Sequence, residues 1–473
     1  MNPQVLVVGA GPAGLVAAIT LSRHAIPTLL VDKRTELSTL SRATVISTRG
    51  MEIFRSWGLE EAVLAGAAEV EPCGWVTPML ASGEGTVIKL GYPTASEAAS
   101  VSPTRPAWAP QDHLEPLLLG LLQEMEHGQI RIGWELVDFE QNADGVVASL
   151  RDNRSEATER VKARYLVGAD GAHSGVRAAL GIGMSGADAI AEFQMVQFEA
   201  PLSRALREER YGLNIVTHQH APGVFVVRGR NDRWGYAREV RDGQERLDDC
   251  SENRLRELIT TASGIDVQPQ IERVSTFRFA AQIADRYRAG RCFLVGDAAH
   301  RMTPRGGTGM NTAIQDAYDI AWKLAWVIGG RAGPELLDSY EDERRPVGLH
   351  NVTRSADPNG AEKQAEEALA WDLNGRLPHH AIHRSGRSMS TLDLLGDGLT
   401  LLVGPNERGR RDSRQVELGT SAPVTVHVLE ADTANLLDIP ARGGLLLRPD
   451  GRELLRASTL DTRLRTPAWL TRR

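Results

Sequence analysis

The sequence predicts an α/β fold in which a parallel sheet organises most of the chain, an antiparallel sheet is inserted into it, and a separate module closes the C-terminus. Three observations predict this. A strand, a glycine turn, a helix and a second strand follow one another within the first 32 residues. Two later apolar runs end in Gly and Asp, around Asp170 and Asp297. The hydrophobic pattern becomes alternating between about 186 and 275, and changes again beyond Arg376.

The bulk numbers set the frame. A chain of 473 residues is too long for one compact core and implies two or three domains. A formal charge of −7 without a basic cluster argues against a nucleic-acid partner. Cys73, Cys250 and Cys292 are far apart and odd in number, so neither a disulfide framework nor a metal site is expected. A reducing cytoplasm is the expected compartment. The apolar N-terminus lacks a basic leader and is broken by Gly9, Gly11 and Gly14, so it does not read as a signal peptide. No run approaches the roughly 20 apolar residues of a membrane span.

The first element is Val5-Leu6-Val7-Val8, a β-branched run suited to a buried parallel strand. It leads into Gly9-Ala10-Gly11-Pro12-Ala13-Gly14, then a helix with Leu15, Ala18, Ile19 and Leu21 at helical spacing. The next strand, Thr28-Leu29-Leu30-Val31, ends at Asp32 with Lys33 beside it. This is the Rossmann-like dinucleotide unit. Gly9 permits a tight turn, Gly11 lets backbone approach a pyrophosphate, and Gly14 lets helix and strand pack closely. The helix start presents free N–H groups to phosphate, and Asp32 can accept from ribose hydroxyls.

The second element is Tyr165-Leu166-Val167-Gly168-Ala169-Asp170-Gly171, continuing to Arg177. The third runs from Arg291 through Val295-Gly296-Asp297-Ala298-Ala299-His300 to Pro304-Arg305-Gly306-Gly307-Thr308-Gly309-Met310-Asn311. Both are apolar strands whose carboxyl ends carry Gly and Asp, where open α/β sheets place ligands. With these motifs, and with Arg42 in Ser41-Arg42-Ala43-Thr44 and Gln111 in Pro110-Gln111-Asp112, the chain resembles the single-component aromatic hydroxylases, the class A flavoprotein monooxygenases. The resemblance spans roughly the first 350 residues.

The resemblance implies non-covalent FAD. It places Gly9, Gly11, Pro12, Ala13 and Gly14 at the pyrophosphate, Asp32 and Lys33 at the adenosine ribose, Arg42 over the pyrophosphate and Gln111 near the ribityl chain. Asp297 would hold a ribityl hydroxyl, and Asp170 would orient backbone in a loop serving both FAD and NAD(P)H. Pro304, Arg305, Gly306 and Gly307 form the loop at the flavin's reactive edge, with no acid or base assigned. Gly309, Met310 and Asn311 start a helix whose N–H groups would face the N1–C2=O edge, where reduced flavin is negative. Ala313, Ala317, Ala321 and Ala325 recur every fourth residue of that helix as a packing stripe. The family often has Pro or an apolar residue at Arg305, and Gln or an apolar residue at Thr308, so substrate preference does not carry over.

The FAD-binding domain is expected to be discontinuous, from 1–75, 103–185 and 276–372. Residues 76–102 and 186–275 are expected to form the antiparallel substrate-binding sheet, with Gln194, Tyr211, His218, His220 and Trp234 as candidate cavity residues. His218 and His220, two apart, would share one face of a strand. Residues 376–473, with Ser390-Thr391-Leu392-Asp393-Leu394-Leu395-Gly396, resemble the thioredoxin-like tail of phenol and polyketide hydroxylases. It has no CxxC and so no dithiol chemistry.

The activity implied is NADPH- or NADH-driven hydroxylation of a phenolic or polycyclic aromatic by way of a flavin C4a-hydroperoxide, with O2 as co-substrate, in secondary metabolism. Baeyer–Villiger insertion, modification of an antibiotic, and a non-catalytic flavin-binding protein are alternatives. A halogenase is disfavoured, because no Trp-x-Trp-x-Ile-Pro segment occurs. The partners expected are a small aromatic molecule and, as an open alternative, a second copy of the chain.

Overall fold

The computed structural model describes residues 3–38, 43–206, 210–384, 386–405, 420–460 and 466–470; Arg42 lies outside them. Strand Val5–Val8 is buried at every position and pairs in parallel with Thr28–Asp32 on one side and Tyr165–Gly168 on the other. Gly128–Ile132 extends the sheet beyond Thr28–Asp32, and Cys292–Leu294 extends it beyond Tyr165–Gly168. Arg288–Ala289 closes that edge antiparallel. Strands covered on both faces need apolar side chains at every position, hence the continuous runs in the sequence.

Helix Pro12–Arg23 is buried without interruption from Ala13 to Ser22. It packs against helices Gln111–Gln123 and Thr308–Ile328. Ala313, Ala317, Ala321 and Ala325 are all buried in the core cluster that also holds Ala13, Ala17 and Ala18. Small residues let these helices approach closely.

The second sheet has eight strands, in the order His300–Arg301, Gln270–Ala284, Met184–Glu199, Arg233–Glu239, Gly223–Val227, Tyr211–Val216, Glu71–Thr77 and Thr86–Lys89. All its pairings are antiparallel except Tyr211–Val216 with Glu71–Thr77. Strand parity sorts its side chains. Val196, Phe198, Phe225, Trp234 and Tyr236 are buried in a cluster with Leu255, Leu258 and Ile259 of helix Glu252–Ser263. Phe193, Met195, Leu213, Ile215, Val224, Val226 and Phe277 have the opposite parity and are half-buried. A smaller sheet, Trp134–Gln141, Val146–Asp152 and Thr158–Ala163, flanks the first.

Beyond Arg376 a four-stranded sheet runs in the order Val424–Val428, Leu399–Val403, Gly444–Leu447, Glu453–Ala457. Its first pair is parallel and the rest antiparallel. One face buries Leu399, Leu401, Val403 and Leu446 against Trp322 and Trp326 of helix Thr308–Ile328. The other packs Leu402, Leu445 and Leu447 on Leu377, Ile382, Leu394 and Ile439. Ion pairs reinforce the first contact. Lys323 Nζ lies 2.9 Å from Glu343, whose other oxygen is 2.6 Å from Arg448. Glu52 bridges Arg49 and Arg376, and Arg49 donates to the Asp450 carbonyl at 2.7 Å. Among the described residues, no helix is long and apolar enough to cross a membrane.

Three outcomes are expected. Trp326→Ala, emptying a fully buried site, should cost about 3–5 kcal/mol in urea unfolding. A chain cut after Arg376 should lose soluble monomer on gel filtration, because Trp322, Trp326 and Leu336 become exposed. The Glu343 carboxyl is raised by burial, but hydrogen bonds from Arg448 and the Lys323 charge outweigh this and hold it at about 2. Its contribution is therefore complete above an unfolded value of about 4.3 and lost as pH falls through about 2. Glu343→Gln should flatten that acid limb in thermal melts taken across this window.

Candidate functional site

The glycine turn separates packing from binding. Gly9 is left-handed at φ +106°, and a Cβ there would meet the Ala169 carbonyl oxygen at 2.3 Å. A Cβ on Gly14 would lie 1.8 Å from the Gly9 oxygen. At Gly11 a Cβ would meet no atom of the described residues within 4 Å, so among them the space beside it is open to a ligand. Gly11 caps helix Pro12–Arg23 without a side-chain bond, and no acid lies in the first turn. Those N–H groups are left for an outside acceptor.

Asp32 pins this turn. Its Oδ2 accepts from Ala10 N at 2.7 Å and its Oδ1 from Arg34 N at 2.8 Å, while the Arg34 guanidinium lies 2.9 Å away. Burial raises its carboxyl, but Arg34 and the Ala10 amide outweigh this and leave it below the usual range. Lys33 is exposed beside it.

Asp297 is exposed within a stretch, 292–300, that is otherwise buried. Gly296 before it has φ +59°, and a Cβ there would press on Ala313 at 2.9 Å. Asp170 accepts from Ser174 Oγ at 2.5 Å and Val176 N at 3.0 Å, which folds its loop back on itself. Arg177 joins the two loops by donating to the Ala298 carbonyl at 2.9 Å and the Ala172 carbonyl at 3.1 Å. It lay in the quoted motif, but nothing in its spacing announced the link.

Gly306 and Gly307 are both left-handed, at φ +77° and +65°, a pair of conformations that side chains strain to adopt. The turn is tied from behind. The Tyr92 hydroxyl sits 2.9 Å from the Gly306 oxygen and 3.0 Å from that of Gly307. Asn311 donates to the Gly307 and Val45 carbonyls at 2.9 and 3.1 Å and accepts from Ser47 N at 2.8 Å. Helix Thr308–Ile328 follows, with Gly309 and Met310 in a first turn that has no side-chain cap and no acid. Gln111 opens helix Gln111–Gln123, with its backbone N on the Ala43 carbonyl and its amide on Glu115. Pro304 is exposed, whereas Arg305 lies over the Phe279 ring at 5.3 Å and donates to the Ala356 carbonyl. Tyr92 is the contributor that sequence reading missed; it comes from 214 residues away in the chain.

The cavity candidates need correction. Gln194 is buried on the helix side of the sheet, where its Oε1 accepts from Leu247 N at 2.7 Å. Trp234 is 3% exposed among Phe225 and Phe198. Strand parity turns both away from the half-buried face. His218 and His220 lie past the end of strand Tyr211–Val216, in a loop, with rings 5.9 Å apart. Tyr211 stacks on Trp75. The opposite face instead carries Phe193, stacked on Phe279 at 4.2 Å, and Phe277. Arg305 brings the glycine loop to the edge of that aromatic row.

An open glycine, two uncapped helix starts and one exposed acid in a buried loop suit an extended ligand with a pyrophosphate and a polyol, as FAD has. The two glycines give a sharp contrast. Gly11→Val should leave a folded chain that no longer retains FAD, whereas Gly14→Val should fail to fold. Flavin absorbance and circular dichroism of the purified variants check both.

Comparison with known proteins agrees with this geometry. The family described as FAD binding domain matches residues 2–355. The chain is 34% identical to tetracenomycin B2 monooxygenase-dioxygenase of Streptomyces olivaceus, over 96% of this chain and 95% of that one. It is 35% identical to aklavinone 12-hydroxylase RdmE of Streptomyces purpurascens, over 95% and 94%. The structure is similar to the flavin-dependent monooxygenase PieE in complex with FAD and substrate, with a TM-score of 0.86 and 29% identity over 97% and 96% of the chains. It is also similar to aklavinone-11 hydroxylase in a ternary complex with FAD and aklavinone, with a TM-score of 0.84 and 31% identity over 98% and 97%. The chain belongs to the FAD-binding-domain family and is an FAD-dependent monooxygenase of the aromatic hydroxylase type.

Proposed function

We propose that this enzyme hydroxylates a phenolic, polycyclic aromatic of polyketide type, bound between the glycine loop and the half-buried face of the eight-stranded sheet. The observation that carries this reading is the row of Phe193, Met195, Leu213, Ile215, Val224, Val226 and Phe277, apolar yet left half-exposed, with Arg305 over Phe279, the ring on which Phe193 stacks. A flat apolar surface with one charge at its edge suits fused rings bearing an ionisable hydroxyl. Relatives named for tetracenomycins and aklavinone support the same class.

In this reading the open space at Gly11 and the first turn of helix Pro12–Arg23 take the pyrophosphate, Asp297 a ribityl hydroxyl, and the start of helix Thr308–Ile328 the flavin. When bound, FAD supplies reduction by NAD(P)H and activation of O2. The protein's own part is placement and exclusion of water. Phe193 and Phe277 press on the substrate face, and Arg305 holds a substrate oxyanion by its always-charged guanidinium. Residues 1–75, 103–185 and 276–372 form the FAD-binding part, 76–102 and 186–275 the substrate part, and 376–473 the tail. Its strand order, second-first-third-fourth with one parallel pair, supports a thioredoxin-like tail, and the absence of cysteine beyond Cys292 gives that tail a packing role. A reducing cytoplasm fits three free cysteines.

The test is NADPH consumption with hydroxylated anthraquinones and tetracyclic aromatics, with product mass read in parallel. One added oxygen per NADPH is expected, and no consumption with any of them would overturn the substrate class. Arg305→Met should retain FAD and be reduced at the wild-type rate, but release hydrogen peroxide instead of product. Met195→Trp should raise KM at least tenfold with FAD binding unchanged.

A further inference from the structure

Six arginines are buried among the described residues: Arg49, Arg228, Arg344, Arg354, Arg376 and Arg448. Five have a carboxylate within 4 Å, namely Glu52, Glu272, Asp316, Glu52 and Glu343 respectively. Arg354, 2% exposed on helix Ser339–Ala356, has no such pair among the described residues. Its Nη2 donates to the Leu90 carbonyl at 2.7 Å and the Ala361 carbonyl at 3.0 Å, and its Nε is buried without a hydrogen-bond partner. Its Nη1 would lie 3.2 Å from a Cβ on Gly306, so the guanidinium abuts the back of the glycine turn.

The surroundings add little negative charge. Arg354 lines a cavity of about 20 Å3, room for about one water, with Tyr92, Asn311, Trp371 and Asp372 among the other walls. Both Asp372 oxygens are engaged, by Arg49 N and by Gln315 Nε2. Burial pushes the Asp372 carboxyl up, toward its neutral form. Burial likewise pushes the Tyr92 phenol up, so it remains a neutral donor to the turn. An unpaired buried cation is costly. Two carbonyl dipoles are a modest return for it, and a neutral donor could have served them.

We propose that Arg354 is a positioning residue for the flavin, whose charge, held directly behind the Gly306/Gly307 turn, is matched when the cofactor becomes negative on reduction. This rests on the placement of FAD against that turn. Tyr92 and Asn311 take the turn's carbonyls, and Arg354 supplies the net positive charge. The helix start in front of the turn adds its dipole to the same end.

The experiment is a reductive titration of the FAD-loaded enzyme against a reference dye, without substrate or NAD(P)H, together with the Kd of oxidised FAD. Arg354→Met should keep the oxidised Kd within about threefold and bind reduced flavin at least tenfold more weakly. For a two-electron couple that is a fall of about 30 mV in midpoint potential. Arg354→Lys breaks the same guanidinium geometry but keeps the charge, and should recover most of the loss. Equal falls in both variants, or no fall in either, would overturn the proposal. If Arg354→Met does not fold, Arg354→Gln carries the same comparison. The substrate reading does not enter this measurement. A misplaced cofactor would show separately, as Gly11→Val still retaining FAD.

Discussion

A single carboxylate, Asp316, holds the machinery in register. It is fully buried on helix Thr308–Ile328, accepts from Arg344 Nε at 2.8 Å and His300 Nε2 at 2.6 Å, and lies 3.4 Å from Gly296 N. Burial alone would raise its carboxyl, but the Arg344 charge and His300 outweigh that and keep it below the usual range. Three pieces of chain therefore meet at one charge: the helix that begins at the glycine loop, helix Ser339–Ala356, and the loop that presents Asp297. Removing it would strand Arg344 in the core, a cost of about 3–5 kcal/mol for a broken buried pair. The position of Asp297 at the surface depends on Gly296 and His300 being held from within.

Around that pin the architecture is one of close approach. Gly9, Gly14 and Gly296 each stand where a Cβ would collide with backbone or with an alanine, and Ala313 and Ala317 line the facing helix. Packing interiors are dense enough that such contacts fix geometry rather than merely permit it. Gly11 differs, since its missing side chain leaves room outside the protein's own packing. The division between internal and external glycines is what lets one short turn be both rigid and receptive.

The same helix serves the tail. The alanine stripe lies in the core with helix Pro12–Arg23, while Trp322 and Trp326 face the four-stranded sheet. Lys323, buried between, is neutralised by Asp319 at 2.7 Å and Glu343 at 2.9 Å. A tail attached in this way shares a core with the catalytic part and braces the far end of the helix that begins at the Gly306/Gly307 turn.

The sequence by itself determined the parallel sheet, the glycine turn and the two loops ending in Asp, because each is a local pattern. Continuous apolar runs encode strands covered on both faces, and a glycine at a forced φ or a forced contact has no substitute. It also determined the helix stripe, through a four-residue repeat. What lies on either face of the eight-stranded sheet was decided only by tertiary structure. Gln194 and Phe193 are neighbours in sequence and equally at home in a strand, yet register puts one against Leu247 and stacks the other on Phe279, the ring under Arg305. Tyr92, Arg177 and Arg354 were hidden for the same reason. Their chemistry is a hydrogen bond or a charge delivered to backbone across long stretches of chain, and such contacts leave no periodicity to read. Local sequence fixes which elements form; the pairing of distant elements decides which of their side chains face the ligand.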